Sequence, residues 1–107
     1  MTSSPAHNSL DYVEISVTDL AAVKSFYGAA FGWSFTDYGD AYVGFSHPGR
    51  DSEAGGFSLS HEIRTGGGPF VILYSADLEK TADLIASSGG VVSTPAYEFP
   101  GGRRLHF

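Results

Sequence analysis

At 107 residues, with 42% hydrophobic and 17% charged residues, the chain has the size and composition of one globular domain. Its net charge of −6 argues against a nucleic-acid-binding surface, and the absence of cysteine excludes disulfides, thiolate nucleophiles and zinc–cysteine sites. No apolar run approaches the roughly 18 residues that cross a bilayer, and MTSSPAHNS lacks the basic and apolar regions of a signal peptide, so a cytoplasmic protein with no membrane or nucleic-acid partner is expected.

Residues 1–9 read as a polar, frayed tail carrying Pro5. From Tyr12 the chain alternates: Val13, Ile15 and Val17 point one way, Tyr12, Glu14 and Ser16 the other, which predicts a strand with one apolar face. At Asp19 the period lengthens, and Leu20, Val23, Phe26, Tyr27, Ala30 and Phe31 form the apolar stripe of a helix. Asp19 suits the N-cap and Gly32 the left-handed position that stops the helix. Two short strands follow, Trp33–Tyr38 and Ala41–Ser46, about a turn at Asp37–Asp40. His47–Gly56 reads as a loop and Phe57–Glu62 as a fourth strand. The run Thr65-Gly66-Gly67-Gly68-Pro69 precedes a strand and lacks a following Gly-Lys-Ser/Thr, so it reads as a linker and not a phosphate cradle.

The opening unit then recurs. FVILYSADLEKTADLIASSGGVV places its Asp77-Leu78 pair 58 residues after Asp19-Leu20, matching Val13 to Val71, Ile15 to Leu73, Phe26 to Leu84 and Gly32 to Gly90. Strand, cap, stripe and stop all agree, which points to two copies of one supersecondary unit. The second copy reads as strand Phe70–Ser75, helix Asp77–Ser88, strand Val91–Phe99, a turn at Pro100-Gly101-Gly102 and a last strand Arg103–Phe107. The domain therefore divides into units at 10–62 and 69–107.

Two successive β-α-β-β-β units, carried by VEISVTDLAAVKSFYGAAFGW, Gly55-Gly56-Phe57, FVILYSADLEKTADLIASSGG and the terminal RRLHF, resemble the vicinal oxygen chelate superfamily. That superfamily groups glyoxalase I, bleomycin-resistance proteins and extradiol dioxygenases. The resemblance implies an α+β fold in which each unit curls its strands into half of an open, barrel-like sheet around a cavity. It also implies that Val13, Ile15, Val17, Val71 and Leu73 pack under the helices while Tyr12, Glu14, Ser16, Phe70, Ile72 and Tyr74 line the cavity. By the same resemblance Arg104 and His106 turn inward from the last strand.

Members that chelate a divalent ion place a His at the start of each unit's first strand and a carboxylate on the final strand, ligands suited to zinc, iron, nickel or manganese. Here those starting positions hold Tyr12 and Phe70, so no metal and no cofactor are expected. Glu14 is either a functional carboxylate in the cavity or the solvated side of a cleft. His106 is either a general base or a hydrogen-bonded structural residue. Arg104 either clamps an anionic ligand or pairs with Glu14. His47 and His61 are expected at the surface, and Phe31, Trp33 and Phe35 in the core.

The resemblance thus implies a protein that binds a small organic ligand in a metal-free concave cavity, for binding or sequestration. The alternative is a lactoylglutathione-lyase-like lyase or isomerase, or a dioxygenase, using Glu14 or His106 and metal-dependent if a further strand supplies a ligand. A homodimer is expected, as is common in the superfamily. Members continue past a segment like RRLHF into an eighth strand, so the second unit is expected to lack its last strand. The open edge is then filled by another chain, or the sequence is part of a longer product.

Overall fold

The alternation that begins at Tyr12 becomes strand β1 (Val13–Val17), followed by helix α1 (Leu20–Phe31), in the computed structural model, which describes residues 6–63 and 69–107. The first residues of the tail and most of the glycine linker, 65–68, lie outside the described residues. Asp19 caps α1 by accepting from the Ala22 N–H at 3.0 Å, and Gly32 ends it at φ 72°, a left-handed conformation that L side chains resist. Strands β2 (Ser34–Asp37), β3 (Tyr42–Ser46) and β4 (Gly55–Leu59) complete a four-stranded sheet of order β1-β4-β3-β2. β1 and β4 run parallel, while β3 is antiparallel to both of its neighbours.

One face of this sheet meets α1. Val17, Val43, Phe45, Ala54 and Phe57 are buried there, with Ile15, Leu20, Val23, Tyr27, Trp33 and Phe35 packed around them. Trp33 stacks between Phe45 at 4.6 Å and Tyr27 at 4.7 Å, so Trp33 and Phe35 pack against this core as expected, whereas Phe31 lies outside the cluster, against Phe26, Tyr27, Trp33 and Phe107. Phe57 is 1% exposed, and burying a side chain of that size contributes about 1.5–3 kcal/mol. Ile15 and Val17 face this core as the alternation predicts. Val13 shares their face yet stays 39% exposed, because it opens the edge strand, where packing is thinnest. β4 begins at Gly55, two residues before the predicted start. Gly55 and Gly56 pair with Val13 and Glu14 on one side and with Phe45 and Gly44 on the other, so this glycine pair belongs to the sheet and not to the loop.

The second half repeats the helix and its cap: α2 (Leu78–Ser87) starts at Asp77, which accepts from the Lys80 N–H at 3.1 Å. Ile85, fully buried, fixes α2 in place, and α2 packs against α1. Strands β5 (Thr94–Phe99) and β6 (Gly102–His106) form a separate antiparallel pair, with an irregularity between Thr94 and Tyr97. The fold is therefore mixed α and β, built of a four-stranded and a two-stranded sheet that do not close into a barrel. One expected strand is not formed. Phe70–Ser75 joins no ladder, and Phe70, Val71, Ile72 and Tyr74 stay exposed. The physical reason is the pairing rule of the first half, where, among the described residues, the opening strand bonds only to β4. At the 58-residue offset β5 and β6 correspond to β2 and β3, and no described residues play the part of β4. Apolar alternation without a partner strand leaves the backbone nothing to pair with.

Candidate functional site

The face of the four-stranded sheet opposite the core is polar, and its centre is made of glycine. In register, Glu14 stands beside Gly56 and Gly56 beside Gly44, with Ser16, Ser58 and Tyr42 forming the next row. A Cβ at Gly44 would run into the Glu53 carboxylate, and one at Gly56 into the Tyr42 hydroxyl. The two glycines thus form a floor over which those side chains lie. Glycine inside a strand commonly marks such a close approach.

On this floor two phenols bond one carboxylate and a third phenol bonds one of those two. Tyr12 donates to Glu53 Oε2 at 3.0 Å and Tyr38 donates to Glu53 Oε1 at 3.0 Å. The Tyr12 and Tyr42 hydroxyl oxygens are 2.9 Å apart. A phenol has a single proton, and that of Tyr12 is given to Glu53, so Tyr42 is the donor in the remaining bond. The chain of donation runs from Tyr42 to Tyr12 to Glu53, with Tyr38 entering from the other side. The arrangement favours the neutral phenols. Tyr12 is held far above its ordinary value of 10.0, first by burial of its hydroxyl and then by its bonds to Tyr42 and Glu53, although 40% of the residue remains exposed. Tyr38 is also raised, chiefly by its bond to Glu53. The rings of Tyr38 and Tyr42 stand 6.2 Å apart, inclined at 50°.

A second polar cluster sits on the two-stranded sheet. Tyr97 on β5 is in register with Arg104 on β6, whose Nε donates to the Tyr97 hydroxyl at 2.7 Å. His106 Nε2 lies 2.9 Å from the same hydroxyl, and the Arg104 guanidinium covers the Phe99 ring at 4.9 Å.

The structure brings Arg104 and His106 together, as the sequence suggested, but through Tyr97. The suggested pairing of Arg104 with Glu14 does not form: Glu14 stands on the four-stranded sheet, while Arg104 stands on the two-stranded one, where its Nε donates to its cross-strand neighbour Tyr97. Glu14 and Ser16 are exposed on the same sheet face as Tyr12, and Glu14 makes no ion pair or side-chain hydrogen bond among the described residues. Phe70, Ile72 and Tyr74 stand on the unpaired segment, 85%, 69% and 93% exposed. Tyr38, Tyr42, Glu53 and Tyr97 were not anticipated. Gly44 inside a strand pattern, and the pair Gly55-Gly56 just after Glu53, were the signals that could have pointed to the first three. Among the described residues no three His, Asp or Glu side chains gather as a metal-binding group. Among them, too, no helix is long and apolar enough to cross a membrane.

Residues 9–107 match the model of the Glyoxalase/Bleomycin resistance protein/Dioxygenase superfamily. A solved glyoxalase/bleomycin resistance protein/dioxygenase family enzyme from Burkholderia phytofirmans PsJN is similar in fold, with a TM-score of 0.63 and 21% identity over 87% of this chain and 83% of that one. A structure from the mobile metagenome of V. Pseudocholerae is similar with a TM-score of 0.57 and 15% identity, over 98% of this chain and 85% of that one. No curated protein matches the chain.

Proposed function

Because the chain belongs to the glyoxalase/bleomycin resistance protein/dioxygenase superfamily, we propose that it binds a small organic ligand on the polar face of its four-stranded sheet, without a resident metal, in a binding or sequestration role in the cytoplasm. The observation that carries this reading is the cluster of Tyr12, Tyr38, Tyr42 and Glu53 laid over Gly44 and Gly56. A hydrogen-bonded set of aromatic side chains on a rigid sheet is ordered before a ligand arrives, which lowers the entropic cost of binding. Tyr12 occupies a position where chelating relatives carry a His, which favours a ligand site over a metal site there.

A second reading, proton transfer by a lyase or isomerase, is favoured by one observation. The His106 imidazole is oriented by Tyr97 beside Arg104, as a general base beside an anion-stabilising group would be. The exposed Phe70–Tyr74 segment favours a homodimer in either case.

A thermal-shift screen of small metabolites and antibiotics, with elemental analysis of the purified protein, tests the reading. Stabilisation without turnover, reduced in Tyr12→Phe and Glu53→Gln, supports binding at this face; a ligand at a hundred times its Kd adds about 2.7 kcal/mol. About one zinc, iron or nickel per chain with metal-dependent turnover would replace it with the enzymatic reading.

A further inference from the structure

We propose that the ligand of this sheet face is an organic cation, a protonated amine carried on an apolar body; the inference rests on the ligand-binding reading above and names the chemistry of that same site. The argument is a count of protons. Three phenols would ordinarily offer three hydroxyl donors to a ligand. Here Tyr12 and Tyr38 give theirs to Glu53, and Tyr42 gives its own to Tyr12. The cluster is left with lone pairs, ring faces and a carboxylate, all of which accept and none of which donate.

Charge points the same way. Phenols are neutral, so Glu53 keeps its full negative charge, and two hydrogen bonds leave about half of the roughly four lone-pair directions of a carboxylate open. Glu14 adds a second carboxylate in the same row, on β1, separated from Gly44 by Gly56, whose missing side chain makes room for the Tyr42 hydroxyl. The neighbouring positions on this face hold short hydroxyl side chains, Thr36 beside Gly44 and Ser16, Ser34, Ser46 and Ser58 around it, which can donate or accept but bring no charge to offset the carboxylates. No described lysine or arginine stands at a strand position of the face. Arg50, close by in the loop, is directed elsewhere, its Nη2 donating to the Asp11 carbonyl at 2.7 Å and its Nε to the Ser52 hydroxyl at 3.0 Å. Lys24 is paired with Asp37 at 2.9 Å.

An anionic ligand would meet two carboxylates and no free phenolic donor. A neutral carbonyl compound would find no phenolic donor either. An ammonium group supplies the missing donors and charge, while the inclined rings of Tyr38 and Tyr42, with negative ring faces, attract a cation and contact its apolar body. The site selects by what it has already spent.

The experiment titrates the protein with three ring-matched probes, benzylammonium, benzyl alcohol and benzoate, following backbone amides by NMR. The expected result is that benzylammonium shifts the amides of Gly44, Gly56 and their neighbours, and binds at least tenfold more tightly than the other two. Its affinity should fall at least tenfold in Glu53→Gln. Glu14→Gln, at an exposed position where no fold contact is lost, should weaken it several-fold and keeps the test available if Glu53→Gln does not fold. Benzyl alcohol or benzoate binding as tightly at the same amides would overturn the cation inference while leaving the ligand site standing. Benzylammonium shifting only amides elsewhere, or affinity unchanged in both variants, would overturn the inference. The site reading itself fails separately, if no compound of the thermal-shift screen perturbs this face.

Discussion

Two neighbouring glycines should respond in opposite ways to the same added methyl group. At Gly55 a Cβ would overlap the Val13 carbonyl and the Phe45 ring, a backbone atom of the parallel partner strand and a buried core residue. Neither can yield without opening the β1–β4 ladder. Overpacking of this kind costs about 1–3 kcal/mol, and with strand pairing disturbed Gly55→Ala should reach about 3 kcal/mol. For a domain of this size that lowers the melting temperature by roughly 12–20 °C. At Gly44 the obstacle is the Glu53 carboxylate, the far end of a flexible side chain. Glu53 should swing away, so Gly44→Ala should stay within about 1 kcal/mol of wild type, helped by the lower unfolded-state entropy of alanine.

The displaced carboxylate has its own readout, the alkaline titration of the phenols by absorbance. In the parent protein Tyr12, Tyr27 and Tyr38 ionise late. A phenol with a raised folded value contributes stability that is fully present below its unfolded value near 10.0 and is lost as pH climbs through the folded one. In Gly44→Ala, Tyr38 should move down most, because Glu53 is its chief perturbation. Tyr12 should move down only in part, since burial is its largest cause, and Tyr27 should not move, since burial alone raises it. Gly44→Ala melting as low as Gly55→Ala, or leaving the titration unchanged, would refute the placement of Glu53 over the glycine floor.

The duplicated helix caps predict equal losses: Asp19→Ala and Asp77→Ala should each cost about 1 kcal/mol in urea denaturation, because each carboxylate satisfies one backbone N–H three residues on. A loss confined to one of them would show that the two copies do not start their helices in the same way. The uncharged segment Phe70–Ser75 should associate at raised concentration, seen as a rising mass in sedimentation. Ile72→Lys should hold the protein at monomer mass, whereas an unchanged distribution would remove this segment from any interface.

Both helices were legible because their signals are local: a period of 3.6, an Asp at each start and, for α1, a glycine at the stop. Phe70–Ser75 carries an equally good local signal and still forms no ladder. Strand propensity describes a residue's fit to a pleated surface, and the surface has to be supplied by a neighbour far away in sequence. The candidate site failed to show for a related reason. Glu53 lies in a stretch that reads as loop, and what gives it a place is the absence of a side chain at Gly44, across the sheet. Arg104 and His106 are singled out by the resemblance of the terminal strand to the superfamily, but Tyr97, which links them, belongs to the register of a hairpin with an irregularity in it.

Strand β4 explains why fold and candidate site stand or fall together in the first half. It gives β1 its only ladder partner among the described residues, places Phe57 in the core and Gly56 in the floor, and follows directly on the loop that carries Glu53. Tyr12 reaches Glu53 only because β1 lies against β4, since the two residues are 41 positions apart. The second half is the control that the chain itself provides. It has the same apolar alternation and the same capped helix but no described counterpart of β4, and there the opening segment is exposed with Phe70 where Tyr12 stands in the first copy. The polar cluster of that half is accordingly built on the β5–β6 hairpin alone, where short-range register can hold it without a parallel partner.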